Sequence, residues 1–200
     1  MIWIDDVLVS PGPAGVYGEK TLQGYRVWDP MRSKLAAFCH LGGVVDFTRE
    51  MNILYLGAAN GTTVSHVADY AGTVYAVEFA AKPMRDLLEI AGKRKNIVPI
   101  MGDARFPEEY AHFVEPVDLV YSDIAQPDQV PIVLRNTRFL KTGGSLILML
   151  KTRSIDTTRL PEDLCAEAVR ELSGTYRVDL NPVWLTRYHI DHAAITGTKL

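Results

Sequence analysis

The sequence predicts an α/β fold built on an open parallel sheet with crossover helices, and three observations carry that reading. Apolar strand-like runs alternate with helix-like runs over most of the chain, the order a parallel sheet requires. One of them, Ile53-Leu54-Tyr55-Leu56, meets the small-residue turn Gly57-Ala58-Ala59-Asn60-Gly61 and restarts at helical spacing through Thr62, Thr63, Val64 and Val67. The next strand, Thr73-Val74-Tyr75-Ala76-Val77, ends in Glu78, an acid about 20 residues beyond the turn, where it can accept hydrogen bonds from ligand hydroxyls. The 200 residues, 48% hydrophobic and 22% charged, are enough to bury a sizeable core and exclude a disordered chain.

The elements follow in order. Residues 1–45 differ in kind from the rest and predict a small β-rich N-terminal subdomain: Ser10-Pro11-Gly12-Pro13-Ala14-Gly15 is a breaker flanked by the short strands Val7-Leu8-Val9 and Tyr25-Arg26-Val27-Trp28. Asp29-Pro30 then has the form of an N-cap followed by proline at the first helical position, opening a helix through Arg32, Ser33, Lys34, Leu35, Ala36 and Ala37. In residues 46–200, after the first two strands, Pro83 to Arg94 carries the period of an amphipathic helix. A third strand spans Asn96 to Ile100 and leads to Asp103, and a fourth, Val117 to Tyr121, leads to Asp123. Val130 to Leu140 predicts a helix stopped by Thr142-Gly143-Gly144, followed by a strand from Ser145 to Leu150 with Lys151 at its tip. Leu160 to Ser173 predicts another helix, and the tail offers two strands, about Arg177 to Pro182 and Ala193 to Thr198, able to pair as an antiparallel edge.

Chemistry concentrates at the strand ends. Ligands of an open parallel sheet bind outside the carboxyl ends of its strands, so Gly57, Glu78, Asp103, Asp123 and Lys151 are expected to converge on one crevice. Singly, Asp103 reads as a helix cap, whereas Asp123 reads equally as the start of the turn before Pro127 or as a site residue, and Lys151 equally as a solvated strand-end cation or as a site residue; together they read as a site. The turn at 57–61 lacks the second glycine of G-x-G-x-x-G that admits a pyrophosphate. A nucleoside cofactor without phosphate fits better, and S-adenosylmethionine is the common one. Cys39 and Cys165 have neither C-x-x-C spacing nor neighbouring histidines, so they are expected to be reduced thiols, with no metal site. No apolar stretch is long enough to span a bilayer and the start lacks a signal peptide's basic and apolar regions, so no membrane association and a cytoplasmic location are expected.

The segments Tyr55 to Val67, Tyr75-Ala76-Val77-Glu78-Phe79, Gly102-Asp103-Ala104-Arg105 and Asp123-Ile124-Ala125-Gln126-Pro127-Asp128-Gln129 closely resemble the fibrillarin family of RNA 2′-O-methyltransferases, and Trp28 to Ala37 with Asp191-His192-Ala193 extends the resemblance over nearly the whole chain. Without the Gly/Arg-rich N-terminal extension of eukaryotic members, it is similar to the short archaeal form. The resemblance implies a class I (Rossmann-like) S-adenosylmethionine-dependent methyltransferase sheet over residues 46–200. It implies that Gly57 and Ala58 form the cofactor loop, that Thr62 and Thr63 sit at the methionine and ribose side, that Glu78 holds the ribose hydroxyls, that Phe79, Asp103 and Ala104 meet the adenine, and that Asp123 and Gln126 meet the methionine end. The family's proposed Lys-Asp-Lys-His set falls on Lys34, Asp123, Lys151 and His192.

Departures are local. Asn60 stands where the family has serine, Ala80-Ala81-Lys82 is less polar than usual, and Thr186-Arg187-Tyr188-His189-Ile190 replaces the usual Glu-Pro-Tyr-Glu-Arg, leaving His189 as a substitute for His192. The formal charge of -3, from 21 Lys and Arg against 24 Asp and Glu, predicts weak RNA binding by the chain alone. The resemblance implies a box C/D ribonucleoprotein, in which a Nop-type scaffold, a kink-turn-binding ribosomal-type protein and a guide RNA present rRNA or tRNA to the catalyst. The rivals are a small-molecule or protein-glutamine methyltransferase of the same fold, and a non-catalytic assembly subunit.

Overall fold

The computed structural model describes residues 1–179 and 181–200. The N-terminal part folds as four short antiparallel strands, β1 (Ile2–Ile4), β2 (Val7–Ser10), β3 (Thr21–Leu22) and β4 (Tyr25–Val27), in the order β1-β2-β4-β3. Helix α1 (Lys34–His40) follows, and its start corrects the expected one. Asp29 and Pro30 form a turn instead, in which Asp29 Oδ1 accepts from the Met31 N–H at 2.8 Å. Ser33 is the N-cap, its hydroxyl accepting from the Ala36 N–H at 3.3 Å. The capping bond at Asp29 is made, but Ser33 is extended at φ -140° and ψ 117°, which breaks any helix begun at Pro30 and makes Ser33 the cap of the one that continues.

The main sheet is built from β5 (Asn52–Leu56), β6 (Thr73–Glu78), β7 (Ile97–Met101), β8 (Val117–Ser122), β9 (Leu140–Lys151), β10 (Tyr176–Val178), β11 (Val183–Trp184) and β12 (His192–Lys199). Its path runs β7-β6-β5-β8-β9-β12-β10, with β11 also pairing β12. Strands β5 to β9 are mutually parallel and β12 enters antiparallel to β9. The crossovers carry α2 (Thr62–Ala68), α3 (Ala81–Lys93), α4 (Gln129–Asn136), α5 (Thr152–Ile155) and α6 (Pro161–Leu172). Side chains of β5, β6 and β8 are buried on both faces, which is why these strands read as continuous apolar runs rather than alternating ones. Strand order reverses at β5, so the crevice lies where the chain first runs outward to β6 and later returns to β8.

Two expectations shift. Helix α4 ends at Asn136 rather than Leu140, because the Asn136 amide donates to the Ile132 and Ala104 carbonyls at 2.9 and 2.8 Å. A 3₁₀ turn, Thr137–Phe139, follows, and Leu140 opens β9. Thr142-Gly143-Gly144 is therefore not a helix stop but a bulge inside that strand: the register passes from Val117↔Leu140 to Leu119↔Ser145. Gly143 takes φ +77° there, a left-handed conformation that only glycine adopts without strain. In the tail, β10 does pair antiparallel with β12; the expected strand over 177–182 is formed only to Val178, and Leu180 lies outside the described residues.

The small sheet and the large one share a core, in which Leu8 and Trp28 pack with Tyr55, Val64 and Val67. A buried polar network crosses the same contact. Arg26, fully buried, pairs with Glu19 at 2.5 Å and with Asp69 at 2.6 Å, and also donates to the Ser65 hydroxyl at 2.8 Å. Ser10 donates to Asp69 at 2.7 Å, which commits its only proton, so the 2.8 Å contact with His66 Nδ1 requires that nitrogen to carry the ring proton. Nε2 then accepts from the Tyr17 hydroxyl at 2.7 Å. Burial, reinforced by Arg26, pushes the His66 pKa from 6.5 down to about 2.

The unfolded ring gains a proton below its ordinary value while the folded ring stays neutral. Stability is thus complete above that value and declines as pH falls, by about 1.4 kcal/mol per unit from this residue alone. Urea unfolding at stepped pH is expected to show the native chain losing stability below pH 6.5 more steeply than His66→Gln, by about 1.4 kcal/mol per unit. Equal slopes in the two proteins would contradict a buried neutral His66.

Candidate active site

The five strand tips meet as the topology requires. Gly57 after β5, Glu78 of β6, Asp103 after β7, Asp123 after β8 and Lys151 of β9 all line one cavity of about 400 Å³. Gly57 has φ +79°, and a Cβ there would stand 3.1 Å from the Asp123 carbonyl oxygen, so the loop passes the floor of the site only because this residue has no side chain. The Gly57 and Ala58 N–H groups both donate to the Val77 carbonyl at 3.0 Å. Glu78, 7% exposed, is aimed by two backbone donors: Ala59 N–H to Oε2 and Ala80 N–H to Oε1, both at 2.8 Å. Each oxygen keeps a lone pair for a ligand hydroxyl.

Phe79, 60% exposed, and the buried Ala104 and Ile124 give the cavity apolar walls, and Gln126 borders it as well. Asp103 is engaged by Arg105, through Nη2 at 2.6 Å and the backbone N–H at 2.9 Å, and that hydrogen bonding holds its carboxyl below the usual range. Ala58, Thr62 and Thr63 lie in an adjoining hollow of about 300 Å³ that shares Gly57, Ala59 and Asp123 with the first and is bordered by Arg32 and Lys34. Thr63 donates its hydroxyl to Ser33 Oγ at 3.0 Å, tying α2 to the start of α1, and Thr62 donates to Asn60 Oδ1 at 3.1 Å.

Lys34, Asp123 and Lys151 form one cluster. Both ammonium nitrogens stand in ion-pair range of Asp123 Oδ1, at 3.1 and 3.0 Å, and neither is aligned as a donor to that oxygen. The aligned bonds run from Lys151 Nζ to the Asp123 carbonyl at 2.7 Å and from Lys34 Nζ to Oδ2 at 3.4 Å. Burial drives the Lys151 pKa below the ordinary lysine value; Asp123 opposes this and Lys34 adds to it. His192 stands directly opposite Lys151 in the β9–β12 ladder, which puts both side chains on one face. Its Nδ1 lies 2.6 Å from the Ile190 carbonyl, so Nδ1 carries the proton and Nε2 is the free acceptor. Burial lowers the His192 pKa, with Lys34 and Lys151 acting in the same direction. His189, in contrast, points Nε2 at the Pro30 carbonyl at 2.9 Å.

Gln129 was given no role by sequence reasoning. Fully buried, it accepts from the Lys151 N–H at 2.9 Å and donates to the Lys151 carbonyl at 3.0 Å, so α4 fixes the backbone that presents the amine. It closes the string Asp123 to Gln129, and nothing in the local sequence pattern signals this contact.

The fibrillarin family model matches residues 8–200. The chain belongs to the fibrillarin family. A curated fibrillarin-like rRNA/tRNA 2′-O-methyltransferase from Methanoculleus marisnigri is 65% identical over 200 residues, covering 100% of this chain and 99% of the relative. One of the same description from Archaeoglobus fulgidus is 45% identical over 196 residues, covering 96% and 93%. Among solved structures, the fibrillarin of a fibrillarin/Nop5p complex matches with TM-score 0.93 at 42% identity, covering 98% of this chain and 96% of that one. Aeropyrum pernix fibrillarin, solved with natively bound S-adenosyl-L-methionine, matches with TM-score 0.81 at 43% identity, covering 94% and 85%. A Streptococcus thermophilus rRNA methylase at 18% identity and TM-score 0.59 shares the fold alone. The helix-flanked mixed sheet is the Rossmann-like α/β fold that the fibrillarin structures share with class I methyltransferases such as a Geobacter metallireducens precorrin methyltransferase, matched at TM-score 0.62 and 18% identity.

Proposed function

We propose that this chain transfers a methyl group from S-adenosylmethionine to a ribose 2′-hydroxyl of rRNA or tRNA, as the catalytic subunit of a box C/D ribonucleoprotein. The observation that carries this is the Lys34–Asp123–Lys151 cluster standing at the edge of a nucleoside-sized cavity. The residues present fit the cofactor: a buried carboxylate for a diol, apolar walls for a base, and no loop built to cradle a pyrophosphate. Glu78 would hold the ribose hydroxyls, Phe79, Asp103 and Ala104 the adenine, Asp123 and Gln126 the methionine end, with Gly57, Ala58, Thr62 and Thr63 along the loop. When bound, S-adenosylmethionine supplies a methyl group already activated by its sulfonium charge.

The protein then has to align and deprotonate a poor nucleophile. Lys151, driven toward its neutral form, takes the hydroxyl proton, and Asp123 fixes the direction of the amine. Lys34 stabilises the developing alkoxide, and His192 offers Nε2 as an acceptor beside Lys151. A net charge of -3 leaves too little basic surface to hold RNA unaided, so a Nop-type scaffold, a kink-turn-binding protein and the guide RNA supply the grip and the base pairing supplies the specificity. Among the described residues no helix is long and apolar enough to cross a membrane.

Methyl transfer by the chain with scaffold, kink-turn-binding protein and guide is expected at one ribose, moving when the guide sequence is moved, while the lone chain with naked RNA is expected to be nearly inactive. In the same preparation Glu78→Ala is expected to weaken S-adenosylmethionine binding in calorimetry by about 1–3 kcal/mol. Efficient guide-independent transfer to RNA, to a protein glutamine or to a small molecule would overturn the proposal, as would binding of NAD in place of S-adenosylmethionine.

A further inference from the structure

Two segments that carry proposed catalytic side chains come from opposite ends of the chain. Lys34 opens α1 immediately after the turn 29–33, and His192 opens β12 at the end of a hairpin that leaves β11. The hairpin is well anchored on its own. Val183 and Trp184 pair with Ala194 and Ala193, the Leu185 N–H donates to the His192 carbonyl at 2.9 Å, and the Leu185 side chain is fully buried in the core. Its return is fixed by Asp191, at φ +57°, whose carbonyl accepts from the Thr152 hydroxyl at 2.9 Å. The turn 29–33 has less support. Ser33, buried, is tied to α2 by the Thr63 hydroxyl, but at residues 29–32 the hydrogen bonds from Met31 and Arg32 run back to Asp29, and Met31 is 62% exposed.

At the tip of the hairpin, the Tyr188 and His189 N–H groups both donate to the Leu185 carbonyl, at 2.8 and 2.7 Å. That tight reversal throws the His189 ring across to the turn, where Nε2 donates to the Pro30 carbonyl at 2.9 Å and the ring also faces the Ser33 backbone. Pro30 is an unusual partner in one respect: having no N–H of its own, it interacts through the carbonyl alone. Its acceptor therefore selects a donor, which neutral His189 supplies in its Nε2–H form.

We infer that His189 is a positioning residue that clasps the turn before α1 to the hairpin before β12, and so sets the spacing of Lys34 from His192 across Asp123. The inference rests on the methyl-transfer reading above. His189 does not line the cavity and forms no ion pair within the Lys34–Asp123–Lys151 cluster; it acts through Pro30 and Ser33 on Lys34, and its ring stands edge-on to His192 at 6.0 Å between centroids. Because Leu185 and Asp191 hold the hairpin independently, losing the clasp is expected to displace side chains rather than unfold the protein. Displacements of about an ångström at a reacting centre cost on the order of a hundredfold in rate.

The test uses the assembled guide complex and two substitutions. His189→Phe keeps an aromatic ring but removes the donor; His189→Gln places an amide N–H near the position of Nε2. His189→Phe is expected to lower kcat by on the order of ten- to a hundredfold, with the calorimetric affinity for S-adenosylmethionine and the melting temperature near those of the native chain. His189→Gln is expected to recover most of the lost rate. Long-range proton–nitrogen NMR of the isolated native chain is expected to show His189 neutral, with the proton on Nε2, at pH 7.

Native kcat in His189→Phe, or a His189→Gln protein as slow as His189→Phe, would overturn the inference. So would a neutral ring carrying its proton on Nδ1, which leaves Nε2 without a hydrogen to donate, a result that needs no variant to fold. Failure of the function proposed above reads differently: the native complex itself would transfer no methyl group, while the NMR result would still stand for or against the clasp.

Discussion

Lys151→Ala is expected to cut the single-turnover rate of methyl transfer by on the order of 10²–10⁴-fold while leaving the affinity for S-adenosylmethionine close to native. In the proposed reaction the amine receives the proton, and the Glu78 carboxylate proposed to hold the cofactor is aimed by Ala59 and Ala80, not by Lys151. Lys151→Arg is expected to fail to rescue, since a guanidinium stays protonated and cannot accept. The pH profile follows from the same cause. Burial holds the amine below the ordinary lysine value, so the rate should rise with pH as the neutral fraction grows and level off before an exposed lysine would. Asp123 is the group that opposes this depression. Asp123→Asn is therefore expected to move the rising limb to lower pH even as loss of orientation lowers the plateau. A Lys151→Arg complex with native turnover would show that only positive charge is needed at β9's tip, and would return the base to His192 Nε2 or to solvent.

The parts of this site that the sequence made legible are those fixed by local rules. Apolar runs ending at Gly57, Glu78, Asp103, Asp123 and Lys151 placed five side chains at one edge, because a parallel sheet leaves strand tips no other exit. Boundaries set by competition between local bonds were less readable. Asp29 makes a capping bond to Met31, yet the chain turns extended at Ser33 and the helix starts there; the Asn136 amide binds carbonyls of its own helix and of Ala104, where the helix ends. Contacts between segments far apart in the chain left no local signal at all. Gln129 holds the Lys151 backbone and His189 reaches Pro30, 159 residues away. Neither pairing could be inferred from periodicity or spacing. The Thr62 and Thr63 hydroxyls show the same limit: their position beside the loop was plain, and their engagement with Asn60 and Ser33 was not.

Arg26→Met is expected to destabilise the fold by about 3–5 kcal/mol, read as a lower urea midpoint, because it removes one partner from a buried network and leaves the others uncompensated. Asp69 keeps Arg94, which contacts its other oxygen at 2.9 Å, so the larger loss falls on Glu19. That carboxylate is 1% exposed, and although burial pushes its pKa upward, the Tyr17 N–H and the Arg26 guanidinium bring it down from 4.5 to about 2. A depressed carboxyl contributes stability that is present above its unfolded value and is lost as pH falls toward the folded one. The gap between native and Arg26→Met should therefore be widest near neutrality and close between about pH 4.5 and 2. Adding Glu19→Gln to Arg26→Met should recover part of the loss, since the stranded charge goes with it; two independent sites would instead give additive losses. Because Arg26 lies on β4 and its partners Ser65 and Asp69 lie in and just after α2, the same change should loosen the small sheet from the helix that follows the cofactor loop. An Arg26→Met chain with the native urea midpoint at neutral pH would show that the Arg26 ion pairs contribute nothing to holding the small sheet against α2.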